Sequence, residues 1–168
     1  MSIVSHEPLL SHLDAAYNLA RWLTGSRADA EDVVQDAYVR AIAGADRFRG
    51  GDLRAWLLSI VRNGCYSLHR RQRVRQATEF DESVHGEDVV TPSPEQGAID
   101  VDTSRRVRLA IAKLAPEFRE VVVLREFDGL SYKEIAGVIG APVGTVMSRL
   151  SRARAQLHAA LAEDGERS

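Results

Sequence analysis

This 168-residue chain holds a single cysteine, Cys65. No disulfide can therefore form within it, and no Cys/His cluster at zinc-ligand spacing appears, so a reducing compartment is expected. Nowhere does an apolar run approach the roughly 18 residues that a membrane span needs. The opening MSIVSHEPLL also lacks the basic-then-apolar order of a secretion signal, so the expected location is the cytoplasm. His6, His12, His69, His85 and His158 are scattered, and none belongs to a metal or nucleophile motif. An enzyme thus has no recognisable seat, and neither a metal nor a cofactor is expected. Alternating apolar patterns around Asn-Gly or Asp-Gly are missing, as are internal repeats, which points to an all-α fold.

Charge is missing in two telling places. Residues 79–102 contain eight acids and no Lys or Arg, while no acid stands between Glu134 and Glu163. The net charge of −2 hides this division: residues 1–78 carry eleven Arg against eight acids, and residues 103–168 carry eleven basic against eight acidic residues. Two mildly basic blocks joined by an acidic strap therefore describe the chain better than its average, because binding follows local potential. The strap includes Pro92 and Pro94 and has no sustained helical period. It reads as a flexible linker between a domain at 1–78 and a domain at 103–168.

In the first block, Leu9, Leu10, Leu13, Ala16, Tyr17 and Ala20 recur at helical spacing up to a break at Thr24-Gly25. Ser26 or Asp29 can cap a second helix, whose stripe is Val33, Val34, Ala37, Tyr38, Ala41 and Ile42. A third starts near Leu53, buries Trp56, Leu57, Ile60 and Val61, and runs into HRRQRVR. Cys65 falls on its apolar side, where a small buried thiol is expected rather than a reactive one.

In the second block, one helix around Val107–Leu114 stops near Pro116, and another covers Phe118–Phe127 before Asp128-Gly129. Ser131 and Glu134 have capping-box spacing, Gly140 can stop the short helix they begin, and Pro142 suits the first turn of the next. That final helix, from about Val143 to Leu161, buries Val146, Leu150, Ala153, Leu157 and Leu161 and carries Arg149, Arg152 and Arg154 elsewhere. The pair is a helix-turn-helix, and a last helix of one charge sign favours a polyanion partner.

Two further charged sets are candidate contacts. Arg70, Arg71, Arg73 and Arg75 could meet phosphates, or could serve as a soluble helix end favourable to the dipole. Asp29, Glu31, Asp32 and Asp36, with Gln35, form an acidic face suited to a basic protein partner. Dipole compensation accounts for the first-turn acids of that face but not for Asp36, and the face looks too one-sided to pair internally.

The stretches DAEDVVQDAYVRAI, DRFRGGDLRAWLLSIVRN and LAPEFREVVVLREFDGLSYKEIAGVIGAPVGTVMSRLSRARAQL resemble regions two and four of extracytoplasmic-function (ECF) sigma factors, in the family's order and spacing. The resemblance implies a protein that binds core RNA polymerase and promoter DNA, helps open the duplex, and is held in check by an anti-sigma factor. It implies that the Asp29–Asp36 helix docks on the polymerase clamp helices. Residues from about Asp46 to Arg75 would then open and read the downstream element, with Arg62-Asn63 in the family's Arg-Asn position near an extruded base. Extruding that base costs a few kcal/mol and requires a pocket for it. The resemblance places Gly144, Thr145, Ser148, Arg149, Ser151, Arg152 and Arg154 at DNA-facing positions of the upstream reader. Met147 departs from the Lys or Arg common among relatives, so promoter preference is expected to differ there. By the same likeness the acidic strap would pass through the polymerase's positive channels and mimic nascent RNA. The alternative is a stand-alone helix-turn-helix regulator whose first block dimerises or senses a signal.

Overall fold

The computed structural model describes residues 7–78 and 98–167. All regular elements among them are helical. The acidic strap lies outside the described residues except at its end, where a helix begins at Ala98, earlier than the linker boundary at residue 102. No Gly or Pro follows Gly97 until Pro116, so nothing local prevents the helix from starting there.

The first block contains α1 (Glu7–Leu10), α2 (Leu13–Thr24), α3 (Arg27–Ala43) and α4 (Leu53–Thr78). The expected first helix is thus two pieces. The chain turns at Ser11-His12, where the Ser11 hydroxyl donates to the Pro8 carbonyl at 2.7 Å and the His12 amide to Leu9 O at 3.2 Å. Leu9 is buried beyond that turn, but Leu10 and Leu13 stay exposed. Ser26 is the N-cap of α3, accepting from the Asp29 amide at 3.3 Å. Val33, Val34, Ala37 and Ala41 are buried as the stripe requires, whereas Ile42 at its end is exposed. Helices α3 and α4 cross closely because Gly64 has no side chain: a Cβ there would lie 3.1 Å from Val33 Cγ1.

The second block contains α5 (Ala98–Ala112), α6 (Pro116–Val122), α7 (Tyr132–Ile139) and α8 (Val143–Glu166). After α6 the backbone widens into a π turn over Val123–Phe127. Helix α7 starts on a complete capping box: the Glu134 amide donates to Ser131 Oγ at 3.1 Å, and the Ser131 amide donates to Glu134 Oε1 at 3.0 Å. It ends at Gly140 in the left-handed conformation, φ 67°. Pro142 sits one position before α8, at its N-cap. Val146, Leu150 and Ala153 bury α8 against its block, while Leu157 and Leu161 are only half-buried.

Sequence reading left open whether the two blocks pack together; in the structure they do. Their buried side chains form one continuous apolar cluster. Helix α4 lies against α7, and α2 lies against α6. The seam between them also contains Trp22 stacked on Phe127, with ring centroids 5.5 Å apart.

Candidate nucleic-acid interface

The upstream-reading candidates lie on the first turns of α8. Gly144, Met147, Ser148, Ser151, Arg152 and Arg154 are exposed, and Thr145 is half-buried. Met147 is 52% exposed, so an apolar side chain stands in the open where a helix-turn-helix meets DNA. Ser148 Oγ donates to Thr145 O at 3.1 Å within the helix.

The one-signed charge of α8 is balanced in part by other elements, which the helix's own sequence does not reveal. Arg154 pairs with Glu126 of the π turn at 3.0 Å, and this pair is well exposed. Arg149 instead turns inward and lies 4.0 Å from the carboxylate of Glu120 on α6, with its side chain 29% exposed.

The downstream candidates divide along α4. Arg70, Arg71, Arg73 and Arg75 are exposed at the helix's far end, without an ion pair among the described residues; Arg70 donates to Ser67 Oγ within the helix. Asn63 is exposed too. Arg62 is drawn into the seam: its Nε and one terminal nitrogen donate to the two oxygens of Glu120 at 2.8 and 3.2 Å. Its guanidinium also lies 4.4 Å from the Tyr66 ring centroid. Glu120 therefore has both Arg62 and Arg149 beside it, and its side chain is wholly buried.

Burial around that carboxylate suppresses nearby ionisation. It pushes the Cys65 thiol up to about 12, and Glu120's negative charge adds to the effect. The expectation of a buried thiol is met. Tyr66 is likewise pushed up to about 12, first by burial and then by Glu120.

Sequence reasoning missed the other arginines of the seam. Arg54 of α4 donates to the Asp128 carbonyl at 3.2 Å and pairs with Glu134 at 3.2 Å. Arg119 of α6 donates across the seam to Trp22 O at 3.0 Å and within its own block to Leu114 O at 2.7 Å. Beside Arg54, a cavity of about 620 Å³ opens between the Arg47–Asp52 loop and α7, with Phe48, Trp56, Lys133 and Gly137 in its lining.

On α3, Glu31, Asp32, Gln35 and Asp36 are exposed and Asp29 half-buried. The expectation that this face cannot pair internally is wrong in two places. Asp36 pairs with Arg40 one turn on at 2.9 Å, and Asp29 accepts from Gln72 of α4 at 3.3 Å. The former follows from i, i+4 spacing. The latter depends on the α3–α4 crossing, which sequence spacing does not give.

Two helical blocks, the second a capped helix-turn-helix, define a DNA-binding transcription factor, and comparison with known proteins gives its kind. Residues 9–75 match sigma-70 region 2, and residues 104–157 match sigma-70 region 4. The chain is 36% identical over 160 residues to the ECF RNA polymerase sigma factor SigE of Mycolicibacterium smegmatis, covering 94% of this chain and 61% of that one. It is 36% identical over 144 residues to the ECF sigma factor EcfG of Rhodopseudomonas palustris, covering 85% and 77%. The sigma factor RpoE of Bartonella quintana, solved in complex with the anti-sigma factor NepR, superposes with a TM-score of 0.78 at 34% identity, covering 93% and 95%. The chain belongs to the ECF RNA polymerase sigma factors.

Proposed function

We propose that this protein binds core RNA polymerase in the cytoplasm, directs it to a specific class of promoters and helps open them, and that it catalyses no reaction itself. The observation that carries this reading is the capped helix-turn-helix of α7 and α8, set behind a region 2 block and exposing Gly144, Met147, Ser148, Ser151 and Arg152. An exposed helix start of this kind fits the major groove, with base edges met by Met147, Ser148 and Ser151 and phosphates by Arg149, Arg152 and Arg154. Arg62, Asn63, Arg70, Arg71 and Arg73 act at the downstream element. Once α7 is clear, the Arg47–Asp52 side of the cavity offers Phe48 and Trp56 for an extruded base to stack upon. Exposed Glu31, Asp32 and Gln35 on α3, with Asp29 and Asp36, dock on the polymerase.

A solved relative was captured with an anti-sigma factor, which supports a protein inhibitor here as well. The deciding experiment is single-round transcription by core polymerase on genomic DNA, with and without the chain, sequencing the 5′ ends. New starts that share upstream and downstream motifs are expected. Binding to a palindromic site with no effect on core polymerase would instead identify a stand-alone regulator.

A further inference from the structure

We propose that Met147, with Val143 one turn before it, reads the 5-methyl group of a thymine in the upstream promoter element, so that this base is chosen by apolar contact instead of a hydrogen bond. The inference rests on the reading of α8 as the upstream reader given above, and adds which base it favours. Val143, Met147 and Ser151 follow one another at four-residue spacing along one side of α8, and Gly144, Ser148 and Arg152 form the adjoining row. All six are exposed, while Val146, Leu150 and Ala153 hold another side of the helix in the core. A lone exposed apolar side chain is ordinary on any surface. Here two of them, 40% and 52% exposed, adjoin on the first two turns of the second helix of a helix-turn-helix. No acid stands between Glu134 and Glu163, so the patch lies in a setting that favours a polyanion.

Gly144 supports a close approach of that partner. Its φ is not positive, and a Cβ there would meet no atom within 4 Å, so neither backbone conformation nor internal packing requires glycine. Glycine weakens a helix relative to alanine, and it is useful where another molecule comes close against the backbone. What that molecule must offer follows from the side chains. Val143 and Gly144 have no polar side-chain atom, Met147 has only a thioether, and the Ser148 hydroxyl already donates to Thr145 O at 3.1 Å. No exposed side chain from Val143 to Ser148 therefore has a hydrogen to spare for a base edge. In the major groove the apolar feature of a base pair is the thymine methyl, whereas cytosine presents an amino donor. Met147 against cytosine would strand that donor away from water; against thymine it covers the methyl. Its unbranched, polarisable chain adapts to the shape of the groove.

The test uses the full chain in complex with core polymerase. The complex selects upstream elements from a randomised promoter duplex, and each thymine of the selected motif is then replaced by deoxyuridine, which removes the 5-methyl group and nothing else. At one thymine that replacement should weaken binding about 4-fold, the size expected for uncovering one methyl group. With Met147→Ala, thymine and deoxyuridine at that position should bind within about 1.5-fold of each other, which isolates the pairwise contact. Met147→Leu should keep the preference. A motif with no methyl-dependent thymine, or one whose dependence survives Met147→Ala, overturns the proposal. Gly144→Ala fits the fold and should weaken binding to the whole element by more than the loss of the methyl does. Unchanged binding by Gly144→Ala would mean that the helix start stays clear of the groove, and also overturns it. A complex that selects no shared upstream motif removes the reading of α8 as the upstream reader and this inference with it, whereas a shared motif indifferent to the thymine methyl removes the inference alone.

Discussion

The two ends of α4 are both rich in arginine, yet they do different work. Toward its start, Arg54 and Arg62 reach carboxylates of the second block, while Leu57, Leu58, Val61 and Cys65 are buried beside them. Toward its end, Arg70, Arg71, Arg73 and Arg75 stand in solvent. Residue type does not separate the two sets. What separates them is whether another element lies opposite: α6 and α7 cover the first half and leave the second bare. An arginine run is therefore a reservoir of possible phosphate contacts, and the tertiary fold decides which members are free.

The sharpest way to break the covered half is Leu58→Ala. Leu58 is fully buried, and truncating such a side chain costs about 3 kcal/mol with its cavity. Urea unfolding should show a loss of that size, and a loss below about 1 kcal/mol would mean that this half of α4 is not core.

A smaller effect is expected at Asp128, whose backbone carbonyl receives Arg54. Burial pushes its carboxyl up to about 6 from an ordinary 3.8, and its Oδ2 is buried without a hydrogen-bond partner. Between about pH 4 and pH 6 the folded chain holds a proton here that the unfolded chain has released, so this group's contribution to stability falls as pH rises through that window. Asp128→Asn should remove that slope and stabilise the chain at pH 7 by on the order of 1 kcal/mol, allowing for solvent screening. Thermal melts of both proteins from pH 4 to pH 7 check this; parallel curves would assign the slope elsewhere.

The exposed half should respond least in stability. Replacing Arg70, Arg71 and Arg73 together by Gln should move unfolding free energy by less than about 0.5 kcal/mol per site. The same change should lower the salt dependence of promoter binding by the polymerase complex, by roughly one in log–log slope for each phosphate that is no longer neutralised. An unchanged slope would leave these arginines as a soluble helix end, the other reading their sequence allows.

Much of the local structure was legible because its causes lie within a few residues. Ser131 with Glu134, and Gly140 eight residues after the start of α7, fix the short helix whatever surrounds it. The Val33, Val34, Ala37 and Ala41 stripe likewise needed only the helical period. The break at Ser11-His12 is hidden in the sequence because Leu9, Leu10, Leu13 and Ala16 recur at helical spacing across it, although Leu10 and Leu13 are exposed in the structure. The π turn at Val123–Phe127 buries Val123 and Leu124 but leaves Glu126 and Phe127 exposed, and no residue in it marks the change from α geometry. On the candidate interface, the exposed positions Met147, Ser148 and Arg152 were correctly placed on the outside of α8. The inward turn of Arg149 was not visible, because its partner Glu120 is 29 residues away on another helix.

By itself, the sequence determined the helical class, the two basic blocks, the caps and breaks that delimit their helices, and the resemblance to sigma regions two and four. These depend on short-range periodicity, on backbone preferences and on motif order. Only the tertiary structure decided that the blocks close on each other, that Glu120 is buried between Arg62 and Arg149, and which half of α4 remains open. Those facts depend on pairings between residues far apart in the chain, such as Trp22 with Arg119 and with Phe127, whose partners no local pattern encodes.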